Sequence, residues 1–383
     1  MAEKLAAIIL AAGFSSRMGS CKAMLPLGTS TVLEQVVELF HGCGISEVIV
    51  VTGHEAGLTA PVARKAGALA VYNPDFGLGM FSSICAGVQA LSPECKGFFL
   101  LPVDIPLIRK GTITLLARAF EASAARLLYP VYGGERGHPP LISTALCRAI
   151  VQGDGSHGLR GILAAVEAEN PGQVRDILVP DANILFDMDT PEAYEQGLVR
   201  QAGREVPSMG ECEVLIRHLY PMPDRGLAHA EKVAELAVAI CDLIATTRRT
   251  PPPDRELCRV CGWLHDMAKG SPGHEQEGGR RLSELGFDRA AEIVAAHRES
   301  AYTPGTLVSE KEIVFLADKM VYGSSWVRVD ERFQQKLDLY AKDPAACAAI
   351  QRRLNGAREV LKAIEEETGS SLFDLLCCRL SPA

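Results

Sequence analysis

The fold of the first half of this chain is decided by residues 5–26, LAAIILAAGFSSRMGSCKAMLP. The apolar run over residues 5–12 predicts a strand buried on both faces, as in parallel sheets. Gly13 ends this run and opens a loop of small residues that carries two cations, Arg17 and Lys22. Such a loop can aim several backbone N–H groups at one anion, which the cations then neutralise. This pattern suits a nucleoside triphosphate, but an ordinary turn with exposed charges fits the spacing equally well.

Composition and length narrow the class of protein. The 383 residues exceed the usual length of one domain and predict two domains. A net charge of −8 argues against nucleic acid and anionic membrane surfaces as partners. No apolar run approaches the roughly 20 residues that span a bilayer. The twelve cysteines lack disulfide-like spacing, so we expect reduced thiols and a cytoplasmic location.

Apolar strands alternate with helical stretches over residues 1–200. Further strands are predicted at 48–51, 68–72 and 98–101, and helices at 31–41 and 80–91. This alternation predicts a doubly wound α/β domain over residues 1–200, with a mostly parallel sheet and helices on both faces. Ligands in such sheets bind beyond the carboxyl ends of the strands, where the loop after Gly13 would lie.

Four further segments of this half carry residues suited to chemistry. Residues 73–83 form a loop that leads into a helix, and residues 137–140, Gly-His-Pro-Pro, form a rigid turn that could shape a second pocket. Asp104 follows a predicted buried strand, where a carboxylate could hold a hard metal ion. Residues 186–190 are predicted to be a strand end that places Asp187 and Asp189 on one side. Alternatively these aspartates cap the helix that starts at residue 191, and capping is favoured for Asp187.

Together these segments resemble the molybdenum cofactor nucleotidyltransferases, and more narrowly their cytidylyltransferase branch. The resemblance covers about residues 5–197 and rests on the LAAG-x-S-x-RMG-x-x-K loop, the 73–83 segment, Asp104, the Gly-His-Pro turn and the Asp-x-Asp-Thr-Pro end. In that family an alanine at the position of Ala12 goes with cytosine rather than guanine. The resemblance therefore implies a fold like that of the nucleotide-diphospho-sugar transferases, with CTP and molybdopterin as substrates.

The same resemblance implies site residues. Catalysis is expected of Lys22, Arg17 and Asp104, and the nucleotide is expected to bind Ala11, Ala12, Gly13, Arg17 and Lys22. Mg²⁺ would be held by Asp104 and Asp189. The second-substrate pocket would be lined by Asn73, Gly79, Ser82, Ser83, Gly137, His138 and Pro139.

The character of the sequence changes after residues 201–211, which contain Gly203, Pro207 and Gly210 and are predicted to be a linker. Strand patterns disappear beyond them, and helical periods predict an all-α domain over residues 212–383.

Histidines are concentrated in this second half. Five of the nine lie between His218 and His297, and several share helical faces with apolar residues. A single inward histidine is usually a hydrogen-bonded core residue. Three on separate helices, together with Asp266 and Asp318, favour a metal site instead. The pair Cys258 and Cys261 fits the apolar stripe of its helix, so we expect packing rather than metal binding.

The order His229, His265-Asp266, Asp318 resembles the HD superfamily of metal-dependent phosphohydrolases. His274 and His297 fall where binuclear members place extra ligands, and residues 313–319 resemble the subgroup that hydrolyses dinucleoside polyphosphates. Imidazole ligands favour one or two transition-metal ions such as Mn²⁺, Fe²⁺ or Zn²⁺ over Mg²⁺.

The sequence thus predicts a fused enzyme that transfers CMP from CTP to molybdopterin, releases pyrophosphate, and carries a phosphohydrolase domain. A molybdoenzyme or its maturation chaperone is a candidate partner. Three alternatives remain: a GTP-dependent or sugar- or alditol-phosphate nucleotidyltransferase, a non-catalytic cofactor carrier, and an HD domain that only senses nucleotides.

Overall fold

The computed structural model describes residues 4–14, 18–153, 155, 157–247 and 251–374. The chain divides into two compact units, Met1–Arg204 and Glu205–Ala383. Among the described residues, no helix is both long enough and apolar enough to cross a membrane.

The first unit alternates strands and helices. Its strands are β1 (Leu5–Ala11), β2 (Pro26–Leu27), β3 (Ser30–Thr31), β4 (Glu47–Thr52), β5 (Leu69–Tyr72), β6 (Gly97–Pro102), β7 (Leu127–Tyr132), β8 (Glu135–Arg136), β9 (Leu141–Ser143) and β10 (Val174–Leu178). Its helices are α1 (Val32–Gly42), α2 (Ala56–Lys65), α3 (Met80–Gln89), α4 (Lys110–Glu121), α5 (Cys147–Gln152), α6 (Gly158–Glu169) and α7 (Pro191–Gly203).

The main sheet has the strand order β10-β7-β9-β6-β1-β4-β5, with β8 paired to the edge of β7. Strands β6, β1, β4 and β5 are parallel neighbours, and β10 is parallel to β7. Strand β9 is antiparallel to β6 and β7, and β8 is antiparallel to β7. The predicted mostly parallel sheet is confirmed, with β9 inserted as a reversed strand between β6 and β7.

Strand β1 lies at the centre of two hydrophobic layers. Ile9 packs in one layer with Phe40 of α1, and Ile8 packs in the other with Ile84 of α3. Helix α3 approaches β1 closely, since a Cβ on Gly87 would lie 2.5 Å from Ile8 Cγ2. The unbroken apolar run of β1 is therefore explained by burial on both faces, and the doubly wound α/β fold is confirmed.

The prediction that residues 186–190 end a strand is wrong. Strand β10 ends earlier, and residues 186–190 form a loop anchored where the Met188 N–H donates to the Asp104 carbonyl at 2.8 Å. Met188 is buried, so the alternation of apolar and acidic residues at 186–189 reflects the burial of a loop side chain and not pairing with a neighbouring strand. Thr190 caps α7 by accepting the Ala193 N–H, the role expected of Asp187 or Asp189.

The second unit is helical. Its helices are α8 (Met209–Val214), a π-helical turn (Leu215–Leu219), α9 (Asp224–Ala245), α10 (Arg255–Leu264), α11 (His274–Leu285), α12 (Asp288–Ala296), α13 (Glu310–Lys319), α14 (Val329–Leu339) and α15 (Pro344–Thr368). Helix α7 runs to Gly203 and α8 begins at Met209, so the predicted linker is too long. A capping box between Ser208 and Glu211 starts α8 inside the segment predicted to be linker.

One feature of the second unit departs from an all-helical domain. The short strands β11 (Val321–Tyr322) and β12 (Ser325–Trp326) pair as an antiparallel ribbon. Gly323 in its turn has a φ of 61°, which glycine adopts at little cost. Ribbons with two residues per strand carry too little pattern to be predicted from sequence.

Candidate functional site

The first candidate site lies at the carboxyl edge of the sheet. Leu10 at the end of β1 is in register with Pro102 at the end of β6, so the loops that follow both strands emerge side by side. The first loop contains Ala12 and Gly13, and the second contains Asp104. The hydrogen bond from Met188 to the Asp104 carbonyl brings the segment of Asp189 to the same place.

Lys22 joins two aspartates at this edge. Its ammonium lies 3.2 Å from Asp104 Oδ2 and also contacts Asp189 Oδ1. Burial opposes the charge on Lys22, but Asp189 and Asp104 raise the pKa of its ammonium. Burial raises the pKa of Asp104, and the nearby Lys22 charge partly offsets this effect. Two carboxylates thus face one cationic group.

The donor chemistry of this pair fits Mg²⁺. Mg²⁺ prefers carboxylate oxygens and is usually bound by one or two of them together with substrate phosphates. Asp104 and Asp189 offer that set, whereas Asp187 is exposed and has no place in it.

A cavity of about 310 Å³ opens beside Lys22 and Asp104. It is lined by the predicted nucleotide-binding residues Ala11, Ala12, Gly13 and Lys22, and also by Asp104, Gly79 and Ser83. Arg17 lies outside the described residues. Phe14 and Phe76 line the cavity as well, with ring centroids 5.5 Å apart, and sequence reasoning had given neither a role.

Asn73 organises the start of α3 rather than the cavity wall. Its buried amide donates to Ser82 Oγ at 2.9 Å and to Ser83 Oγ at 3.0 Å. Gly79 precedes the helix with a φ of 97°, a conformation that favours glycine. Of the predicted second-substrate residues in this segment, Gly79 and Ser83 line the cavity, whereas Asn73 and Ser82 are not among its lining residues and hydrogen-bond to each other.

The Gly-His-Pro turn belongs to a second cavity of about 720 Å³. His138 lines that cavity together with Arg136 and Arg160, and burial lowers the pKa of the His138 imidazole. Gly137 serves packing, because a Cβ there would lie 2.4 Å from the Ile184 carbonyl oxygen. Pro139 is not among the lining residues of either cavity.

The two cavities are adjacent. Leu10, Met80 and Pro102 line both of them. Part of each predicted set therefore borders one cleft: Ala11, Ala12, Gly13 and Lys22 of the nucleotide-binding residues, and Gly79, Ser83 and His138 of the second-substrate residues.

The second unit brings six predicted metal ligands together in two groups. His229, His265 and Asp318 form one group, and Asp266, His274 and His297 form the other. Within each group the ligand atoms lie within 4.8 Å of one another. No sequence-predicted ligand of this unit lies outside these groups.

Three of the imidazoles are oriented by backbone carbonyls. His265 Nδ1 lies 2.8 Å from the Gly262 oxygen, His297 Nδ1 lies 2.6 Å from the Val294 oxygen, and His229 Nδ1 lies 3.1 Å from the Gly323 oxygen. A carbonyl only accepts, so each Nδ1 carries a proton, and in a neutral ring Nε2 then keeps the lone pair that binds a metal. Nε2 of His229 faces the Asp318 carboxylate at 3.2 Å, which is the other ligand type of its group. The buried Nε2 of His265 has no hydrogen-bond partner. These features fit a bound metal ion.

Asp266 belongs to the second group and also faces His265 of the first. Its Oδ2 is 3.5 Å from His265 Nε2, and its Oδ1 is 3.4 Å from His274 Nε2. Burial disfavours its charge, but His265 and Lys269 hold the pKa of the carboxyl far below its usual range. The expectation that His265 and Asp266 lie on a helix is wrong, since α10 ends at Leu264 and both residues lie in the turn that follows.

His297 is buried and neutral. Burial and the neighbouring His265 lower the pKa of its imidazole to about 4. It is therefore available as a neutral ligand at physiological pH.

Sequence reasoning missed other residues around this centre. The Gly323 carbonyl positions His229, and Arg332 of α14 donates to Asp318 Oδ1 at 3.2 Å. Neither residue lies in a recognisable motif.

Comparisons with known proteins find two domains in the chain. The MobA-like NTP transferase domain model matches residues 7–171, and the HD domain model matches residues 226–323. The molybdenum cofactor cytidylyltransferase of Escherichia coli (strain K12) is 30% identical over 190 residues, which are 49% of this chain and 92% of that protein. The chain belongs to the MobA-like NTP transferase family.

Two further similarities each cover part of the chain. The bifunctional protein GlmU of Pelobacter propionicus is 32% identical over 114 residues, which are 29% of this chain and 25% of GlmU. A cytidylyltransferase structure from Leptospira borgpetersenii serovar Hardjo-bovis (strain JB197) is 18% identical with a TM-score of 0.42, and the match covers 56% of this chain and 95% of that one. The prediction of a MobA-like transferase domain followed by an HD domain is confirmed.

Proposed function

We propose that the first unit transfers CMP from CTP to a molybdopterin-type cofactor and releases pyrophosphate. The observation that carries this proposal is the placement of Lys22 against Asp104 and Asp189, beside a cavity lined by the 11–14 loop. Such a site joins a charge-neutralising lysine, two metal-binding carboxylates and a small-residue loop. These are the parts that phosphoryl and nucleotidyl transfer need.

In this reaction the terminal phosphate oxygen of the acceptor attacks the α-phosphorus of CTP. The bond from that phosphorus to the bridging oxygen breaks, and pyrophosphate leaves with the bonding electrons. Lys22 would turn from the aspartates to the triphosphate and neutralise the charge that develops there. Mg²⁺ held by Asp104 and Asp189 would bring further positive charge to the same phosphates.

Two observations favour CTP and a molybdopterin acceptor. Ala12, which the cytidylyltransferase resemblance links to cytosine, is buried at the cavity wall. The similar Escherichia coli protein is named for transferring a cytidylyl group to the molybdenum cofactor. A sugar- or alditol-phosphate acceptor stays the second candidate, with a GTP-dependent enzyme and a non-catalytic carrier as the others.

The test is a pyrophosphate-release assay with purified full-length protein and Mg²⁺. CTP and GTP are each offered with molybdopterin and with a sugar phosphate. We expect release with CTP and molybdopterin only. A preference for GTP would place the protein in the guanylyltransferase branch of the family. Release with the sugar phosphate would show that the acceptor is a sugar phosphate rather than molybdopterin. If no pair released pyrophosphate, the non-catalytic carrier would be the remaining hypothesis.

For the second unit we propose metal-dependent hydrolysis of a phosphoester or phosphoanhydride. This rests on the orientation of His229, His265 and His297, whose Nδ1 atoms face carbonyls while their Nε2 atoms face the carboxylates of Asp318 and Asp266. A transition-metal ion would act there as a Lewis acid toward phosphate and water. The alternative is a nucleotide sensor, which would bind a phosphorylated ligand without converting it.

A further inference from the structure

Four cationic side chains lie beside the metal-ligand groups of the HD unit. They are Lys319 of α13, Arg332 and Lys336 of α14, and Arg353 of α15, and we call them the basic cluster. Arg332 and Arg353 both lower the pKa of Lys319 and of Lys336, so the four charges lie near one another. Neither the metal-ligand pattern nor the proposed hydrolysis assigns them a role.

The basic cluster touches the metal-ligand groups through Asp318. Lys319 Nζ donates to Asp318 Oδ2 at 2.6 Å, and Arg332 donates to Asp318 Oδ1 at 3.2 Å. The same Oδ1 lies 3.2 Å from His229 Nε2. A ligand at the histidines would therefore be separated from the basic cluster by no more than one carboxylate.

The basic cluster has more positive charge than its protein partners neutralise. Asp318 serves both Lys319 and Arg332, and Arg353 lies 3.6 Å from Glu299, whose side chain is 60% exposed. The ammonium of half-buried Lys336 has no hydrogen-bond or ion-pair partner among the described residues. Burial and Arg332 lower its pKa to about 8, so the ammonium is still charged at neutral pH.

Two guanidinium nitrogens of the basic cluster also make no hydrogen bond among the described residues, although one of them, Arg353 Nε, is the atom that lies 3.6 Å from Glu299. Arg332 Nε and Arg353 Nε are buried without a hydrogen-bond partner in the described part of the chain. The Arg332 side chain is only 10% exposed. Buried charges are normally paired and their donors satisfied, so this arrangement lacks an anion.

We infer that the basic cluster binds the phosphate chain of the HD unit's substrate, an anion with at least two linked phosphate groups. This inference rests on the proposed phosphohydrolase function. One phosphate would lie at the metal ligands, and the next would reach across Asp318 to Lys336, Arg332 and Arg353. A lone phosphate at the metal ligands would leave the donors of the basic cluster unpaired. Guanidinium groups match phosphate oxygens in geometry as well as charge.

The test uses pyrophosphate, the smallest anion of this class and the product that nucleotidyl transfer would release. The chain has two tryptophans, Trp263 and Trp326, and both lie in the HD unit. Trp326 pairs with Val321, whose carbonyl Arg332 contacts. Tryptophan fluorescence of the full chain therefore reports on this unit without interference from the transferase unit.

Pyrophosphate is titrated into the wild-type chain and into the variants Lys336→Met and Arg353→Met, in chelator and after Zn²⁺ loading. We expect each variant to raise the Kd for pyrophosphate about tenfold or more, because each removes a charge-assisted contact. The control Lys362→Met changes an exposed lysine of α15 and should leave the Kd unchanged. Inorganic phosphate should bind the wild type more weakly than pyrophosphate does.

The thermal midpoint separates binding from a structural role. Lys336 has no hydrogen-bond or ion-pair partner to lose in the part of the chain that the structure describes, so Lys336→Met should leave the midpoint unchanged or raise it. If ADP binds more tightly than pyrophosphate, the phosphate chain that the basic cluster binds belongs to a nucleotide. If ADP binds more weakly, the ligand is the free anion.

Equal Kd values in wild type and variants, absence of pyrophosphate binding, or phosphate binding as tight as pyrophosphate binding would each overturn the inference. A chain that retains no metal but still binds pyrophosphate through these residues in chelator would instead contradict only the proposed phosphohydrolase.

Discussion

Lys22 is the residue on which the proposed transferase chemistry depends most. Its single positive charge lies between Asp104 and Asp189, and all three side chains remain partly exposed at the edge of the sheet. A partly exposed ion pair contributes little to stability. The same charge is worth much more when it faces a transferring phosphate group.

We therefore predict that Lys22→Ala and Asp104→Asn each slow pyrophosphate release about 100-fold or more, a loss typical of removing one preorganised charge or donor. The thermal midpoint of each variant should stay near that of the wild type. Lys65→Ala, which removes an exposed lysine of the same unit, is the control. Wild-type rates in either site variant would show that the reaction occurs elsewhere.

At the scale of elements, the close packing of α10 on α9 sets the position of His265. A Cβ on Gly262 would lie 2.6 Å from the Ala234 Cα, so the helices approach each other with no room for a side chain. The Gly262 carbonyl also accepts the Nδ1–H of His265 at 2.8 Å. One glycine thus links helix packing to the orientation of a metal ligand.

Gly262→Ala should destabilise the HD unit by about 1–3 kcal/mol, because overpacking forces backbone shifts, and should also lower its metal content. Gly226→Ala is the matched control on α9. Its new Cβ would meet Met222 Cε at 3.4 Å, an ordinary contact, so stability should stay the same or rise by up to about 1 kcal/mol. Urea unfolding of both variants measures the difference, and equal stability would mean that α10 can move away from α9 freely.

At the scale of the whole chain, the two units offer different sets of metal-binding side chains. The transferase unit offers two carboxylates, whereas the HD unit offers four imidazoles and two carboxylates in two groups. Mg²⁺ suits the first set and transition metals suit the second. Elemental analysis can therefore count the ions of the HD unit without counting weakly held Mg²⁺.

We predict about two transition-metal ions per chain, one for each group. His274→Ala together with His297→Ala should reduce the count to about one, because these residues supply two of the three ligands of one group. His218→Ala, an exposed histidine outside both groups, should change nothing. A chain purified without transition metal, and unchanged in thermal midpoint by a chelator, would contradict the metal centre.

Much of the fold and of the candidate sites was predictable, because it depends on the pattern of apolar and polar residues within short segments. The apolar run of β1 can only be satisfied by burial on both faces, and alternating strands and helices lead to a doubly wound sheet. The metal-ligand set was visible because inward histidines and aspartates are costly in a core unless they have a partner. The irregular loop at residues 186–190 and the two-residue strands of β11 and β12 were missed, since so short a pattern does not distinguish a strand from a loop.

By itself the sequence determined the fold class and the loop after β1, because both follow from periodicity and from residue types near one another in the chain. Its resemblance to the HD superfamily implied the six candidate metal ligands. Only the tertiary structure decided which distant residues meet. Lys22 reaches Asp189 across 167 positions, Asp266 lies between two ligand groups, and α14 returns Arg332 to Asp318. Such meetings depend on how helices and loops pack after they form, and long-range packing leaves no periodic trace in the sequence.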